Sequence, residues 1–276
     1  MTVLVQVSDP HFGTERVAVV DALERWIGGV APDVLVLSGD ITQRSRRAQW
    51  DAAREFVARL RVPAVVAVPG NHDIALYDVA TRALRPYAEF ARAFGPRLEP
   101  EHESDWLLVV GVNTTRQWRH KDGEVSPEQV ERVAARLERA RPGQLRVVVV
   151  HQPILTVRPQ DEPDRLHGAE RASRRWAEAG ADLVLGGHIH LPYVAPIHER
   201  LPGLARRVWA VQAGTAVSRR VRHEAGNSVN LVRWPVRGAV DVCEVERWDC
   251  DDPAAGFVRV SVERLEPDRS GTAPRR

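Results

Sequence analysis

The sequence predicts an α/β fold, in which a mainly parallel β-sheet is covered by helices and a second, antiparallel sheet packs against it. Up to residue 190, short β-branched and apolar runs alternate with stretches of helical periodicity, which is the pattern of parallel strands joined by helices. Asp, Asn and His residues, some of them next to glycine, follow these runs. Beyond Leu191, strand-like runs succeed one another without helical stretches between them, which is typical of antiparallel strands.

The elements of the predicted parallel sheet and its helices alternate along the chain. Strands are predicted at 3–7, 33–38, 63–68, 106–112, 145–150 and 182–185. Helices are predicted at 15–28, 45–60, 76–94 with an interruption near Pro86, 126–140 and 168–179. We expect Gly28 and Gly29 to end the first helix, because glycine lowers helical stability. Ser126 as the N-cap and Pro127 at the first helical position begin the fourth helix.

The C-terminal third supplies the predicted antiparallel sheet. Its strands are predicted at 208–212, 228–233, 240–248 and 257–265. The last residues are polar and contain Pro and Gly, which favours an unstructured end. We therefore expect a single domain over residues 1–266 and a flexible tail over 267–276. The strand-rich end of the domain also offers an edge through which two copies could form a homodimer.

The composition excludes several classes of protein. The chain has 276 residues, of which 43% are hydrophobic and 28% charged, and its net charge of +2 is too small to indicate a nucleic-acid-binding module. Its two cysteines, Cys243 and Cys250, form no disulfide framework. No apolar run is long enough to span a membrane. No secretory leader is recognisable ahead of the first strand, so we expect a cytoplasmic protein with no membrane partner.

Side chains able to bind metal ions follow successive predicted strands. These residues are Asp9, His11, Asp40, Asn71, His72, His151, His188 and His190. Each alone has a structural explanation, such as a turn residue or a capped core histidine. Together they would meet, because ligands bind at the carboxyl ends of the strands in such sheets. Carboxylate and imidazole groups suit divalent transition metals, and so many groups exceed the needs of one ion. Two ions that share one carboxylate fit better.

The order of these residues resembles that of a known superfamily. The blocks Asp9-x-His11, Gly39-Asp40, Gly70-Asn71-His72-Asp73, His151 and Gly187-His188-x-His190 resemble those of the calcineurin-like metallophosphoesterases. All the blocks occur in the expected order. The resemblance implies a four-layer α-β-β-α sandwich of two mixed β-sheets flanked by helices, with the metal site at the carboxyl ends of the strands.

The resemblance also implies a role for each residue. Asp9, His11 and His190 would hold one metal ion, and Asn71, His151 and His188 the other. Asp40 would bridge both ions. The cofactors would be two transition-metal ions, Mn, Fe or Zn, with a metal-bridging hydroxide that attacks phosphorus. His72 would face the leaving-group oxygen as general acid or charge stabiliser, and Asp73 would either orient an imidazole or cap the next helix.

Departures from the superfamily pattern narrow the substrate class. Protein Ser/Thr phosphatases of this superfamily carry an acid where this chain has Gln43, which disfavours that activity. The opening 8–13 and the run 70–74 look most like bacterial cyclic-nucleotide phosphodiesterase-type members. We therefore expect hydrolysis of a small phosphodiester, with a phosphomonoesterase as the alternative within enzymes. The other alternative is a non-catalytic metal-binding scaffold of the same fold.

Two basic stretches lie outside these blocks. In the loop after the fourth strand, Trp118, Arg119, His120 and Lys121 could stack a base and hold a phosphate, or could form a solvated basic loop. Lys121 is the only lysine of the chain, so the other 38 of the 39 basic residues are arginine. The arginines between Arg206 and Arg222 form the second stretch, for which exposed strand and hairpin charges are the alternative explanation.

Overall fold

The described residues form two six-stranded mixed β-sheets at the centre of the protein. The computed structural model describes residues 1–75, 79–222, 224–235 and 241–269. The strands are β1 (Thr2–Val7), β2 (Val34–Ser38), β3 (Ala64–Val68), β4 (Glu101–Glu103), β5 (Leu107–Gly111), β6 (Leu145–Val149), β7 (Leu183–Gly186), β8 (Tyr193–Pro196), β9 (Trp209–Gln212), β10 (Asn227–Trp234), β11 (Cys243–Cys250) and β12 (Val258–Leu265). The first sheet has the order β12-β11-β10-β1-β2-β3, and the second has the order β4-β5-β6-β7-β9-β8.

Helices cover the outer faces of both sheets. They are α1 (Val17–Val30), α2 (Arg47–Leu60), α3 (Val79–Leu84), α4 (Ala88–Phe94), α5 (Pro127–Leu137), α6 (Ala169–Ala179) and α7 (Ile197–Arg200). One apolar cluster joins the first sheet to α1, α2 and α4, and another joins the second sheet to α5 and α6. A third cluster lies between the sheets and contains residues of both. These three layers of core confirm the α-β-β-α sandwich.

The division of strands between the sheets differs from the predicted one. A single parallel sheet with a separate antiparallel sheet was the expectation, and it is wrong. β1, β2 and β3 are parallel in the first sheet, whereas β5, β6, β7 and β9 are parallel in the second. β10, β11 and β12 extend the first sheet antiparallel to β1. Hydrophobic periodicity identifies a strand but not its partner, because either neighbour would bury the same faces.

Element boundaries agree with the periodicity where caps are strong, whereas the predicted end of the first helix at Gly28 is wrong, since α1 continues to Val30. Ser126 Oγ accepts a hydrogen bond from Gln129 N at 3.2 Å, and Gln129 Oε1 accepts one from Ser126 N at 3.0 Å. This capping box confirms the predicted start of α5, although the helix ends at Leu137 rather than near 140. Of the segment 76–94, α3 and α4 flank a break at Pro86, and residues 76–78 lie outside the described residues.

The predicted tail is described only in part. Its residues 270–276 lie outside the described residues, whereas Asp268 accepts a hydrogen bond from Arg207 Nε at 2.9 Å. The domain boundary at residue 266 stays a prediction. Sequence periodicity also missed the short strands β4 and β8, because Glu101–Glu103 is charged and Tyr193–Pro196 contains proline.

Candidate metal centre

The first group of donor atoms comes from both sheets. Asp9 and His11 follow β1, and His190 follows β7. Asp9 Oδ1 lies 3.2 Å from His190 Nε2 and 3.8 Å from His11 Nε2. The two imidazole Nε2 atoms are 3.1 Å apart. All three side chains are buried, so these atoms converge on one small volume that is screened from bulk water.

The second group lies beside the first and also joins the two sheets. Asp40 follows β2, whereas His151 and His188 follow β6 and β7. Asp40 Oδ1 is 3.3 Å from His151 Nε2, and Asn71 Oδ1 is 3.2 Å from that same nitrogen. The other oxygen of Asp40, Oδ2, is 3.8 Å from His11 Nε2. The Asp40 carboxylate therefore lies between the two groups.

Backbone carbonyls set the orientation of two of the imidazoles. His151 Nδ1 lies 2.9 Å from the Ser38 carbonyl, and His190 Nδ1 lies 2.5 Å from the Arg220 carbonyl. Because a carbonyl only accepts, Nδ1 carries a proton in both rings, and Nε2 is the nitrogen that faces the centre and would bind an ion. A hydrogen bond of this kind from the distal nitrogen is typical of metal-binding histidines.

The Asp9 carboxylate is oriented in the same way. Its Oδ2 accepts hydrogen bonds from Ser8 Oγ at 2.6 Å and from His188 N at 2.9 Å. These two donors leave Oδ1 directed at the imidazoles of the first group. A Cβ on Gly187 would lie 2.4 Å from Asp9 Oδ2 and 1.9 Å from Ser8 Oγ, so this approach requires glycine.

The backbone is strained where the donors are attached. Among the described residues, nine that are not glycine have positive φ angles, and five of them carry donor side chains. These five are Asp9 (49°), His11 (45°), Asp40 (47°), His188 (72°) and His190 (56°). A left-handed backbone costs a non-glycine residue about 1–2 kcal/mol. Strain that clusters in this way is characteristic of functional sites, where it turns side chains toward a common point.

Burial and mutual charge shift the pKa values of the cluster. Burial lowers the pKa of His11 to about 3, which keeps this imidazole neutral. Burial opposes charge on Asp9 as well, but His190 and His151 outweigh it and lower the pKa of Asp9 to about 2. For His151, burial is outweighed by the Asp40 carboxylate, which raises the pKa to about 9. Ionised carboxylates next to imidazoles form a site prepared for a cation.

The donor set fits two transition-metal ions. Within the described residues, Asp9 Oδ1 and both ring nitrogens of His188 are buried without a hydrogen-bond partner. An unpartnered buried polar atom costs about 1–3 kcal/mol, so such atoms indicate a ligand that satisfies them. Imidazole nitrogens and carboxylate oxygens together suit Mn, Fe and Zn. Two groups that flank one carboxylate match the arrangement of a two-ion centre.

His72 lies beside the donor groups rather than among them. Its Nδ1 is 2.8 Å from the Gln43 carbonyl, and its Nε2 is 3.1 Å from Arg220 Nη1. Its ring packs at 90° to that of His11, with ring centroids 4.9 Å apart. Its backbone N–H donates to Asp40 Oδ1 at 2.8 Å. His72 therefore borders the centre through an imidazole that neither donor group includes.

Asp73 holds the loops after β2 and β3 together. Its carboxylate accepts hydrogen bonds from the backbone N–H groups of Ile41, Thr42 and Gly70 at 2.8–3.0 Å, and from Thr42 Oγ1 at 2.9 Å. Burial and the Asp40 charge raise the pKa of Asp73 to about 7, although the hydrogen bonds from the backbone act to lower it. Of its two predicted roles, the described residues show no contact of this carboxylate with an imidazole, and capping of the next helix stays a prediction because residues 76–78 lie outside the described ranges. Asp73 instead positions the backbone that carries Asp40 and Asn71.

Comparison with known proteins places the chain in a family. The family model described as calcineurin-like phosphoesterase matches residues 2–192, a span that includes every residue of both donor groups. The chain belongs to the calcineurin-like phosphoesterase family. A search of curated protein sequences finds no match.

Solved structures with a similar fold accompany this family match. A purple acid phosphatase from seeds of yellow lupin (Lupinus luteus) aligns with a TM-score of 0.71 and 12% identity, over 97% of this chain and 54% of the plant chain. This phosphoesterase thus spans about half the length of that relative. A dimetal phosphatase from Danio rerio aligns with a TM-score of 0.64 and 13% identity, over 97% and 99% of the chains.

A third similar structure has a different description. GAP50, the anchor in the inner membrane complex of Plasmodium, aligns with a TM-score of 0.62 and 12% identity, over 98% of this chain and 90% of that chain. At such identities the likeness concerns the fold, so the chemistry of this phosphoesterase must be argued from its own residues. In the described ranges, no helix has the length and apolar character needed to cross a membrane.

Around the centre of this phosphoesterase, the predicted substrate residues occupy one loop. Trp118 and His120 are exposed, and the Trp118 side chain keeps 70% of its accessible surface. Lys121 Nζ lies 2.5 Å from Asp164 Oδ1, which is 3.7 Å from His188 Nε2. The His188 imidazole and the Lys121 ammonium lower the pKa of Asp164 to about 2. The loop thus borders the second donor group through Lys121 and Asp164.

Sequence reasoning missed two residues of this border. Asp164 lies at the end of an acidic, proline-containing segment that carries no strand-end signal, so only its position in three dimensions identifies it. Arg220 belongs to the second basic stretch, and only its contact with His72 distinguishes it from neighbouring arginines.

Replacement of Asp73 by Ala should destabilise the fold without removing any atom of the two candidate metal-binding groups. The change leaves four buried N–H and O–H groups without a hydrogen-bond acceptor. We expect the free energy of unfolding to fall by about 3–5 kcal/mol, because each buried group left unpaired costs about 1–3 kcal/mol and local relaxation recovers part of it. Urea denaturation of the metal-free protein measures this change. A loss below about 1 kcal/mol would contradict the role assigned to Asp73.

Proposed function

We propose that this calcineurin-like phosphoesterase is a phosphodiesterase that acts through a dinuclear metal centre. The observation that carries the proposal is the pair of buried donor groups, Asp9–His11–His190 and Asp40–His151–His188, with the Asp40 carboxylate between them. In this proposal Asp9, His11 and His190 hold one ion. Asn71, His151 and His188 hold the other, and Asp40 bridges both.

The ions would supply Lewis acidity for the phosphoryl oxygens and would activate water for attack on phosphorus. Manganese, iron and zinc all accept this mixture of nitrogen and oxygen donors, and metal supply often decides between them. The protein itself orients the donors through the Ser38 and Arg220 carbonyls and the Ser8 hydroxyl. Burial keeps bulk water away from this polar cluster, which strengthens its electrostatic interactions.

His72 is the group placed to exchange a proton with the leaving group. The Gln43 carbonyl retains the proton on Nδ1, so Nε2 is the atom available for proton exchange. As general acid, Nε2 would deliver a proton to the departing alkoxide oxygen and so avoid its release as a strong base. Packing against His11 fixes the ring beside the first donor group.

A phosphodiester is the proposed substrate class. Position 43, where protein Ser/Thr phosphatases carry an acid, is a glutamine in this chain, and among the described residues no carboxylate forms an ion pair with the His72 imidazole. The resemblance of residues 8–13 and 70–74 to cyclic-nucleotide phosphodiesterase-type members supports a cyclic diester. The exposed indole of Trp118 lies in the loop that borders the centre and offers a surface on which a base could stack.

A substrate panel tests this proposal. The Mn-loaded protein is assayed with 3′,5′-cyclic AMP, 2′,3′-cyclic AMP, a bis-aryl phosphodiester and the matching aryl phosphomonoester, with chelator-treated protein as control. We expect kcat/KM for the best diester to exceed that for the monoester by at least about 10-fold, equivalent to about 1.4 kcal/mol. Hydrolysis of the monoester alone would establish a phosphomonoesterase. Metal binding without hydrolysis would indicate a scaffold.

Two further parts of the proposal concern the location of the protein in the cell and the number of copies that associate. A cytoplasmic location stays a prediction that fractionation of cells would test. Association of two copies would use β12, which is an edge strand of the first sheet and exposes Val258, Val260 and Val262. Light scattering of the purified protein distinguishes one copy from two.

A further inference from the structure

Arg220 is joined to both sides of the metal centre through its backbone. Its carbonyl accepts from His190 Nδ1 at 2.5 Å, and its N–H donates to Ser218 Oγ at 3.1 Å. Ser218 Oγ lies 2.7 Å from Thr215 Oγ1, which donates to the Asp9 carbonyl at 2.6 Å. Because these contacts use main chain and other side chains, a substitution of the Arg220 side chain leaves them in place.

The Arg220 guanidinium faces the centre between Gln43 and His72. Its Nη1 lies 3.3 Å from Gln43 Oε1 and 3.1 Å from His72 Nε2. The side chain is exposed, and among the described residues no carboxylate lies within ion-pair distance of it. Arg222, two residues further, pairs with Asp161 at 2.8 Å and with Glu224 at 3.4 Å. Arg220 thus brings an uncompensated positive charge to the rim of the centre.

Gln43 explains why this charge stays uncompensated. An acid at position 43 would form an ion pair with Arg220 and cancel the positive charge at the rim. The Gln43 amide oxygen instead accepts from Arg220 Nη1, which orients the guanidinium without neutralising it. A guanidinium with free N–H groups matches the oxygens of a phosphoryl group in charge and in fork geometry.

We propose that Arg220 binds a non-bridging oxygen of the substrate phosphoryl group, with Gln43 holding the guanidinium in place. The inference rests on the proposed function, because it requires a phosphoryl group at the metal centre. Substrate entry would draw the guanidinium from His72 Nε2 to the phosphoryl oxygen. The same movement would leave Nε2 facing the leaving group. Arg220 would therefore act on affinity for the phosphoryl group, whereas His72 would act on the departure of the alcohol.

Calorimetric titration of the Mn-loaded protein with inorganic phosphate tests this proposal without any turnover. We expect Arg220→Met to weaken the phosphate Kd by about 10- to 100-fold, as loss of a charge-assisted pair implies. Arg220→Lys should recover part of the affinity, because it keeps the charge but not the fork. Gln43→Glu should weaken phosphate binding as well, and Gln43→Glu should add little further loss to Arg220→Met.

Arg219→Met is the matched control. Arg219 is adjacent, exposed and equally charged, and its backbone N–H donates to the Thr14 carbonyl. We expect its phosphate Kd to stay within about twofold of the wild-type value, since exposed charges contribute little. Metal content, measured for every variant, should equal that of the wild type.

A phosphate Kd that is unchanged in Arg220→Met, with full metal content, would overturn the inference. An equal loss in Arg219→Met would overturn it too, because it would show a general charge effect. The proposed function fails separately, when the wild-type protein hydrolyses no ester of the panel. On the preferred diester, Arg220→Met should raise KM more than it lowers kcat, whereas a merely structural role would change neither phosphate affinity nor KM.

Discussion

Asp40→Asn is expected to deplete metal from both donor groups and to lower phosphodiester hydrolysis by at least about 100-fold. Its two oxygens face different groups, with Oδ1 3.3 Å from His151 Nε2 and Oδ2 3.8 Å from His11 Nε2. The Asn amide keeps the shape of the carboxylate but carries no charge, and an NH2 group that donates hydrogen bonds replaces one of the oxygens. Because changes even outside the ligand shell cost 10- to 100-fold in metal affinity, loss of a shared ligand should cost at least as much. Elemental analysis after dialysis and kcat/KM measure the two effects.

Asp33→Asn provides the control for this experiment. Asp33 precedes β2 as Asp40 follows it, and its carboxylate accepts from the Val3 N–H at 2.8 Å at the opposite end of the strands. We expect this variant to keep full metal content and activity. If Asp40→Asn retained wild-type metal content, the carboxylate would not bridge two ions. If only one ion were lost, Asp40 would belong to one group alone.

His72→Ala should retain the metal ions and lose about 10²- to 10⁴-fold in kcat, the range typical of a lost general acid. Its imidazole contacts the Gln43 carbonyl and Arg220 rather than joining either donor group. The loss should depend on the substrate. The aryloxide ion released from the aryl diester is a weak base and leaves readily without a proton, whereas the alkoxide released from a cyclic nucleotide is a strong base and needs one. The aryl diester should therefore suffer less than the cyclic nucleotide.

His167→Ala controls for removal of an imidazole. His167 lies in a loop with about half of its side chain exposed, and its ring Nε2 is 3.9 Å from Asp122 Oδ2. We expect its rate and metal content to match the wild type. Loss of metal from His72→Ala would show that His72 is a ligand. An equal loss of kcat on both substrates would exclude protonation of the leaving group.

The sequence predicts which residues meet, although the expected reason, one edge of a single sheet, is wrong. Asp9 follows β1 of the first sheet and His190 follows β7 of the second, and their side chains lie 3.2 Å apart because the carboxyl ends of the parallel strands of both sheets lie together. Nearly all long strands are confirmed because alternation is a local signal, and the sandwich that the family resemblance implies is confirmed as well. The ligand roles themselves stay predictions until metal is measured.

Contacts made by backbone atoms and by irregular loops could not be predicted. The Ser38 and Arg220 carbonyls orient His151 and His190, but any residue type supplies a carbonyl, so no sequence signal marks these positions. Asp164 and Arg220 reach the centre from loops whose paths depend on packing. The partners of β9 and β10 depend likewise on which sheet each strand joins, which periodicity does not specify.

Each donor group contains residues from both sheets, and this has a consequence for the lifetime of the protein. Ions bound there would connect the first sheet to the second through their ligands. A ligand that binds only the folded state at 100 times its Kd adds about 2.7 kcal/mol of stability. Loss of the metal ions would then remove this added stability as well as the activity. It would expose the chain to proteolysis, so that the abundance of the protein would follow the metal status of the cell.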